Sequence, residues 1–266
     1  MLTPNEFRAL HRPGTPFVLP NAWDLASARW LHAAGHRAIG TTSLGIAVAA
    51  GKGDGAGDIA AASLVLAERA AEHGIALSVD LEAGCSDDPD EVGRLAAELA
   101  MIGCVGVNIE DSDTAGRLVD PELASAKVAA IAAAAPALYL NARADPFWVE
   151  AGGDTDDRRS DAVARARSYL AAGATGVFVP GVLAESMISS LAAEIPAPLN
   201  VLVQPGLALP RLAQLRVARV STGSLLFRTA LGAATTALAS LTGSAEDGSS
   251  HVPSYAELAG LPLAQS

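Results

Sequence analysis

The sequence predicts a single (β/α)8 barrel, and three observations support this prediction. Eight short apolar runs alternate with longer helical runs that are rich in Ala and Leu. Each apolar run is continuous, which is typical of parallel strands that are covered on both faces. The chain has 266 residues, half of them apolar, which suits one such barrel. A doubly wound open sheet is the alternative, but no GxGxxG motif follows the first strand, which weakens its dinucleotide-binding form.

The predicted elements follow one another in a regular order. The strands are Phe17–Pro20, Ala38–Ser43, Ala76–Glu82, Gly106–Asp111, Ala137–Arg143, Gly176–Pro180, Leu199–Gln204 and Val217–Thr222. The helices between them include Ala60–His73, Asp90–Ile102, Pro121–Ala134, Asp161–Ala172 and Leu183–Ala193. Four glycines stand just beyond predicted helix ends, where glycine adopts left-handed backbone angles freely: Gly35, Gly74, Gly103 and Gly173.

The barrel domain is predicted to span residues 1–243. Its last part is an apolar helix, Thr229–Leu241. The run Gly243–Ser250 is small and polar, which is typical of a linker. Residues 244–266 are therefore predicted to form a linker and a short helical tail at Tyr255–Leu261, which packs on the barrel or on a neighbouring subunit.

Composition and charge exclude several classes of function. The formal net charge is -11, and the few basic residues are scattered, so we expect no nucleic-acid partner. We also expect no membrane span, because no apolar stretch of about 18 residues lacks a polar interruption. The N-terminus lacks the apolar centre of a signal peptide, and two cysteines do not suggest a disulfide framework. A cytoplasmic location is the resulting expectation.

Acidic residues follow the third and fourth predicted strands, and the active site of a parallel barrel lies at the carboxyl ends of its strands. Asp80 and Glu82 are two apart, so on a strand they share a face. Facing inward beside Glu110, they would repel one another, and a hard divalent cation such as Mg2+ or Mn2+ removes that repulsion. No His lies near these strand ends, which disfavours zinc. The alternative is that the acids pair with Arg143 or cap helices.

Arg143 is the only basic residue at a predicted strand end. Its planar guanidinium suits a carboxylate that accepts two hydrogen bonds, so we interpret Arg143 as a substrate-binding and catalytic residue. The alternative is a structural ion pair with Asp145 or Asp111.

Ser43 follows the second predicted strand. Its hydroxyl and the backbone N–H groups of Leu44 and Gly45 are candidates for holding the other end of a small acid. The alternative for Ser43 is an ordinary helix or turn cap. Asn21, at the end of the first strand, is a further candidate for substrate binding.

Six short motifs occur in order on successive strands: Pro20–Asp24, Thr42–Ser43, Gly53–Gly55, Val79–Gly84, Asn108–Asp111 and Asn141–Asp145. Each is weak alone, but together they cover most of the chain. In these motifs the chain resembles the isocitrate lyase / phosphoenolpyruvate mutase superfamily.

The resemblance implies a metal site and a ligand class. It implies Mg2+ or Mn2+ bound by Asp80, with Asp54, Glu82 and Glu110 acting directly or through water. It further implies a 2-oxo acid that chelates the metal through its carboxylate and keto oxygens.

The resemblance also implies substrate contacts and an assembly. Arg143, Ser43 and the amides after Ser43 would hold the carboxylate of the acid. Members of this superfamily form dimers or tetramers that exchange a C-terminal helix, so Thr229–Leu241 is the candidate for that exchange in a homodimer or homotetramer.

The loop Ser112–Asp120 departs from the superfamily pattern. Isocitrate and methylisocitrate lyases carry Lys-(Lys/Arg)-Cys-Gly-His there, with Cys as the acid, and phosphonopyruvate-using members carry lysines and an Asn. This loop has no Cys, His, Lys or Asn. Arg117 is its only base, and it either closes over a second carboxylate or is a solvated loop side chain.

The cysteines and histidines are not expected to be catalytic. Cys85 follows the metal motif on a different loop and is interpreted as a buried or semi-buried thiol, and Cys104 begins a strand in the core. No histidine falls at a strand end; the five are His11, His32, His36, His73 and His251.

The favoured function is a metal-dependent lyase or hydrolase that cleaves a C–C bond in a small 2-oxo or 2-hydroxy (di)carboxylic acid. Cleavage beside the carbonyl leaves an enolate, whose charge the metal and Arg143 would stabilise. Ser43 would fix a carboxylate, and Glu110 or a metal-linked water would move the proton. One alternative is a mutase-type enzyme of phosphonopyruvate or carboxyphosphonoenolpyruvate. The other is a protein that binds 2-oxo acids with little turnover.

Overall fold

The computed structural model describes residues 1–55, 58–242 and 251–261. Within them, nine parallel strands form a nearly closed barrel surrounded by helices. The strands are β1 (Phe17–Leu19), β2 (Asn21–Ala22), β3 (Ala38–Thr41), β4 (Ala76–Asp80), β5 (Gly106–Glu110), β6 (Tyr139–Arg143), β7 (Gly176–Phe178), β8 (Leu199–Leu202) and β9 (Arg219–Ser221). The prediction of a TIM-type barrel is confirmed.

The ring closes at β1 and β2, of which only β1 lies within the first predicted strand, Phe17–Pro20. β1 pairs with β9 on one side, whereas β2 pairs with β3 on the other. Pro20 separates the two strands because it has no N–H to donate, although its carbonyl still accepts from the Gly40 N–H at 2.8 Å. The seam of the barrel therefore lies at Pro20, the last residue of the first predicted strand.

The helices are α1 (Pro4–Leu10), α2 (Leu25–Ala33), α3 (Ser43–Ala49), α4 (Ile59–Glu72), α5 (Pro89–Ile102), α6 (Pro121–Ala134), α7 (Thr155–Ala171), α8 (Glu185–Glu194), α9 (Leu209–Gln214), α10 (Leu225–Thr242) and α11 (Tyr255–Ala259). The four glycines that were predicted to follow helix ends all have left-handed φ angles, between 70° and 108°. One predicted boundary was wrong by about two turns. Helix α7 begins at Thr155 rather than Asp161, because the Asp154 carboxylate accepts the first N–H groups of the helix.

Helix α1 closes the end of the barrel opposite the carboxyl ends of the strands. The buried Phe7 ring packs edge-on against Tyr139, with ring centroids 5.7 Å apart. Gly176 makes room for Tyr139, because a Cβ on Gly176 would lie 2.0 Å from the phenol oxygen. This end is filled by side chains, whereas a large cavity opens at the other end.

Helix α10 contains the predicted exchange helix and is poorly covered. Of its 18 residues only Phe227 and Gly232 are buried, and Leu238 and Leu241 are largely exposed. By length and composition alone, it is also the one helix of the described chain that could cross a membrane. The expected absence of a membrane partner therefore stays a prediction.

The tail after α10 is described only in part. The predicted linker Gly243–Ser250 lies outside the described residues. The predicted tail helix is present as α11, which packs near α3. The division into a barrel at 1–243 and a tail at 244–266 stays a prediction.

Candidate active site

The predicted site residues meet at the carboxyl end of the barrel. Asp80, Glu110 and Arg143 are the last residues of β4, β5 and β6, and Ser43 is the first residue of α3 directly beyond β3. The β5–β6 register places Glu110 opposite Arg143. All four line one cavity of about 1420 Å3. The parallel barrel thus brings together side chains that are far apart in sequence.

Asp80 is held by neutral donors. Its Oδ2 accepts from the Ser43 hydroxyl at 3.0 Å and from the Ser43 N–H at 3.4 Å. Its own N–H donates to the Thr41 hydroxyl at 2.9 Å. Burial raises the pKa of Asp80, against the opposing effect of Arg143. Asp80 is therefore a fixed carboxylate in a setting that favours a neighbouring positive charge.

Ser43 thus orients Asp80, a role that the sequence did not predict. Helix α3 starts beside it, and no side chain caps that start, because Thr42 makes no capping hydrogen bond. The first amides of a helix lack intrahelical partners, which is consistent with the predicted anion contacts of Leu44 and Gly45. Those substrate contacts stay a prediction.

Glu82 reaches the cavity by a different route from the predicted one. Strand β4 ends at Asp80, and Glu82 lies in the following turn with a left-handed φ of 50°. The strand argument for a shared face with Asp80 was therefore wrong, although both line the cavity. Glu82 Oε1 is buried without a hydrogen-bond partner. Burial, followed by the negative charges of Asp80 and Asp54, raises the pKa of Glu82 to about 7.

Arg143 pairs with two acids. Its Nη1 contacts Glu110, and its Nε donates to Asp145 Oδ1 at 2.6 Å. Burial opposes its charge, but Asp145 and Glu110 outweigh that effect and raise the pKa of Arg143. Burial also raises the pKa of Glu110 well above its usual range. Of the predicted structural alternatives, the pair with Asp145 is present, whereas Asp111 pairs with Arg165 instead.

Asp54 lies on the loop between α3 and α4 and lines the same cavity. Its carboxylate accepts a hydrogen bond from the Tyr255 hydroxyl on α11. The sequence did not identify Tyr255 as a site residue. A single aromatic residue in a tail gives no sequence signal for a contact with a loop 201 residues away.

The acids share a cavity, but they do not form a preformed metal cluster. Among the described residues, no three acidic, His or Cys side chains have the arrangement of a metal site, because Glu110 faces Arg143 and Asp54 faces Tyr255. The donor set still fits a divalent cation. It consists of carboxylate oxygens, which Mg2+ prefers, and it includes the unpartnered Glu82 Oε1.

The raised pKa of Glu82 predicts how pH affects stability. Between its ordinary pKa of 4.5 and its folded value of about 7, the folded chain holds a proton that the unfolded chain has released. Without divalent metal, the free energy of unfolding is expected to fall as pH rises through this window. Mg2+ favours the ionised carboxylate, so it should raise the melting temperature more at about pH 8 than at about pH 5. Thermal unfolding with EDTA and with Mg2+ measures this, and an equal Mg2+ effect at both pH values would contradict it.

Other predicted residues take structural roles. The Asn21 side chain donates to the Thr41 carbonyl at 2.7 Å and accepts from the N–H groups of Thr222 and Gly223, each at 3.0 Å. These contacts hold the barrel seam, and the substrate contact of Asn21 stays a prediction. Arg117 forms an ion pair with Asp113 at 2.8 Å, with its side chain 77% exposed, which matches the solvated alternative.

The cysteines lie as predicted. Cys104 is buried in the core. Residue Cys85 as a whole is exposed at the cavity, but its thiol is partly buried and donates to the Leu81 carbonyl at 3.4 Å, which agrees with the prediction of a semi-buried thiol. Loss of hydration on its cavity side, followed by the charge of Glu82, raises the pKa of the Cys85 thiol to about 12. The thiol therefore stays neutral and is a poor nucleophile at neutral pH.

The phosphoenolpyruvate phosphomutase family model matches residues 7–242. The chain belongs to this family. This membership confirms the resemblance that the six motifs indicated. Solved structures with the same fold include a phosphoenolpyruvate phosphomutase, which is 21% identical to this chain, and a 2,3-dimethylmalate lyase, which is 22% identical.

Three relatives of this phosphomutase-family chain differ in how much is known of them. The uncharacterized protein Rv1998c of Mycobacterium tuberculosis is 43% identical over 229 residues, 86% of each chain. The structure of a proposed phosphonomutase from Burkholderia cenocepacia J2315 is 36% identical, with a TM-score of 0.83 over 91% of this chain and all of the other. A phosphonopyruvate hydrolase in complex with oxalate and Mg2+ is 22% identical, with a TM-score of 0.78 over 97% and 94% of the two chains. At 22% identity this similarity shows a shared fold and nothing more.

Proposed function

We propose that this member of the phosphomutase family is a Mg2+- or Mn2+-dependent enzyme that cleaves a C–C bond in a small 2-oxo or 2-hydroxy (di)carboxylic acid. The observation that supports it is a group of buried carboxylates in one cavity. Asp80, Glu82 and Glu110 line this cavity, burial is the main cause of their raised pKa values, and Glu82 Oε1 has no hydrogen-bond partner. Carboxylate oxygens are the ligands that a divalent cation such as Mg2+ prefers.

The metal would be held by Asp80 and Glu82, with Asp54 and Glu110 acting directly or through water. When bound, such an ion withdraws electrons from the keto or hydroxyl oxygen of the acid. Ser43 and Thr41 keep Asp80 in place for this role through the hydrogen bonds described above.

Arg143 would bind the substrate carboxylate and stabilise the enolate that remains after C–C cleavage. Its guanidinium lies 5.2 Å from the Trp148 ring centroid and 5.7 Å from that of Phe178. These distances are those of cation–π contacts, and they leave the N–H groups of the guanidinium for hydrogen bonds. Glu110 contacts one of these groups, and burial raises its pKa, so it holds a proton more readily than an ordinary glutamate and is the candidate for proton transfer.

A mutase of phosphonopyruvate or carboxyphosphonoenolpyruvate is the second candidate. It is favoured by the likeness to the proposed phosphonomutase from Burkholderia cenocepacia J2315. It is disfavoured by the loop Ser112–Asp120, whose single base, Arg117, is already paired with Asp113. The third candidate is a 2-oxo-acid-binding protein with little turnover. It is favoured by the same loop, because the loop lacks the catalytic residues of both enzyme classes.

One assay separates the three candidates. The purified chain is incubated with Mg2+ and a panel of C4–C6 2-oxo and 2-hydroxy acids, and separately with phosphonopyruvate and with oxalate. Release of pyruvate or oxalate from the panel, conversion of phosphonopyruvate and binding of oxalate are followed. Turnover of a dicarboxylate supports the lyase or hydrolase. Turnover of phosphonopyruvate alone rejects it in favour of the mutase. Metal-dependent binding of oxalate without any turnover rejects both enzymes in favour of the binding protein.

We further propose that α10 is the contact of a homodimer or homotetramer, because Leu238 and Leu241 leave its apolar side uncovered. Replacing both with Asp should reduce the mass measured by light scattering to that of a monomer. Met101→Asp on α5 is the control, since Met101 is equally exposed but lies on another helix. A monomeric wild type, or recovery of the wild type in the membrane fraction, would contradict the proposal.

A further inference from the structure

The segment 251–261 returns to the barrel and docks beside the candidate site. Arg228 on α10 donates from Nη1 to the Pro253 carbonyl at 2.7 Å. Gly232 lets the segment pass closely, because a Cβ there would lie 2.2 Å from the His251 carbonyl oxygen. Leu258 is the buried residue of α11. The contacts of His251 and Pro253 with α10 and the burial of Leu258 thus dock α11 on the barrel.

Docking places the Tyr255 side chain in the cavity wall. The hydroxyl donates to the Asp54 carboxylate, and the ring meets Trp148 edge-on, with centroids 5.2 Å apart. Trp148 in turn covers Arg143. Tyr255 therefore contacts the acidic side of the cavity through its hydroxyl and the Arg143 side through its ring.

The loop that presents Asp54 is confined on its other side. Gly55 has a left-handed φ of 68°, and a Cβ on it would lie 2.5 Å from Thr114 Cγ2 in the loop Ser112–Asp120. Asp54 consequently lies between that loop and α11. The hydrogen bond to the Asp54 carboxylate comes from Tyr255 on α11.

We propose that Tyr255 is a positioning residue of the active site. Its hydroxyl fixes the Asp54 carboxylate in the orientation that acts on the metal and its chelating acid, and its ring completes the cavity wall beside Trp148. The inference rests on the proposed function, because it requires Asp54 to act in metal binding. It adds a requirement for the C-terminal segment, which supplies this contact from outside the strands and their loops. Groups that orient metal ligands typically change metal affinity by about 10- to 100-fold.

Tyr255→Phe tests the hydroxyl while keeping the ring against Trp148. On the full chain, Mn2+ affinity in the presence of oxalate is measured by calorimetry, and we expect a loss of about tenfold or more. Ser254→Ala is the matched control. It removes the side chain that caps α11 but keeps the Tyr255 hydroxyl, so its affinity should stay near that of the wild type.

A double-mutant cycle with Asp54→Asn shows whether Tyr255 acts through Asp54. If it does, Tyr255→Phe has little further effect in the Asp54→Asn background. Equal losses in the two backgrounds, wild-type affinity in Tyr255→Phe, or an equal loss in Ser254→Ala would each overturn the inference while leaving the proposed function intact. A wild type that binds neither Mn2+ nor oxalate overturns both.

Discussion

Replacing Asp80 with Ala is expected to abolish metal-dependent binding of oxalate and all turnover. Asp80 differs from the other acids of the cavity in its partners. Glu110 faces Arg143 and Asp54 faces Tyr255, whereas Asp80 is oriented by the neutral donors of Ser43. The Asp80 carboxylate is therefore held in a fixed position where it can bind a cation. We expect a loss of Mn2+ affinity of more than about 100-fold, above the range for residues that only orient a ligand.

A measurement of thermal stability distinguishes the loss of metal binding in Asp80→Ala from misfolding. Burial raises the pKa of Asp80, so the charged form is disfavoured in the metal-free fold. Asp80→Ala should therefore unfold at the same temperature as the metal-free wild type, or higher, near pH 8. Asp90→Ala is the control for the change in net charge, since Asp90 is exposed on α5. Retained oxalate binding in Asp80→Ala would show that the site is misplaced.

Replacing Arg143 with Met should reduce both function and stability. The substitution leaves Glu110 and Asp145 without their cation, and the Asp145 side chain is fully buried. Breaking a buried pair by removing one partner costs about 3–5 kcal/mol, so urea unfolding should show a decrease of that order. Oxalate binding should be lost as well, because the guanidinium of Arg143 at the end of β6 is the group proposed to bind the carboxylate of the ligand.

Arg143→Lys distinguishes charge from geometry. Lysine restores a positive charge but not the planar pair of N–H groups, so we expect part of the stability to return while oxalate affinity stays low. Arg117→Met is the control, because Arg117 is an exposed loop residue and its loss should change stability by no more than about 0.5 kcal/mol. Normal oxalate affinity in Arg143→Lys would contradict a role for the planar guanidinium.

The parts of the fold that could be predicted are those with a local or periodic signal. Continuous apolar runs identified the strands, and glycines marked helix ends with left-handed φ angles. Parallel topology then placed Asp80, Glu110 and Arg143 at one end of the barrel without any knowledge of distances.

The rest depended on interactions that the sequence does not display. Glu82 enters the cavity through a left-handed turn that its residue type does not favour. The start of α7 is polar and has no apolar period, so its capping by Asp154 was missed. Tyr255 reaches Asp54 only because the chain after α10 folds back over the barrel.

The seam of the barrel has a consequence for how the chain folds. Asn21 and Thr222, 201 residues apart, hold the first and last strands together. The ring therefore cannot close during synthesis until the chain through Thr222 has left the ribosome. Until then β1 and the most recently made strand remain open edges that can pair with other chains. Such distant pairing also makes folding slow, so chaperone supply and growth temperature should influence the yield of this protein more than the stability of its finished barrel would suggest.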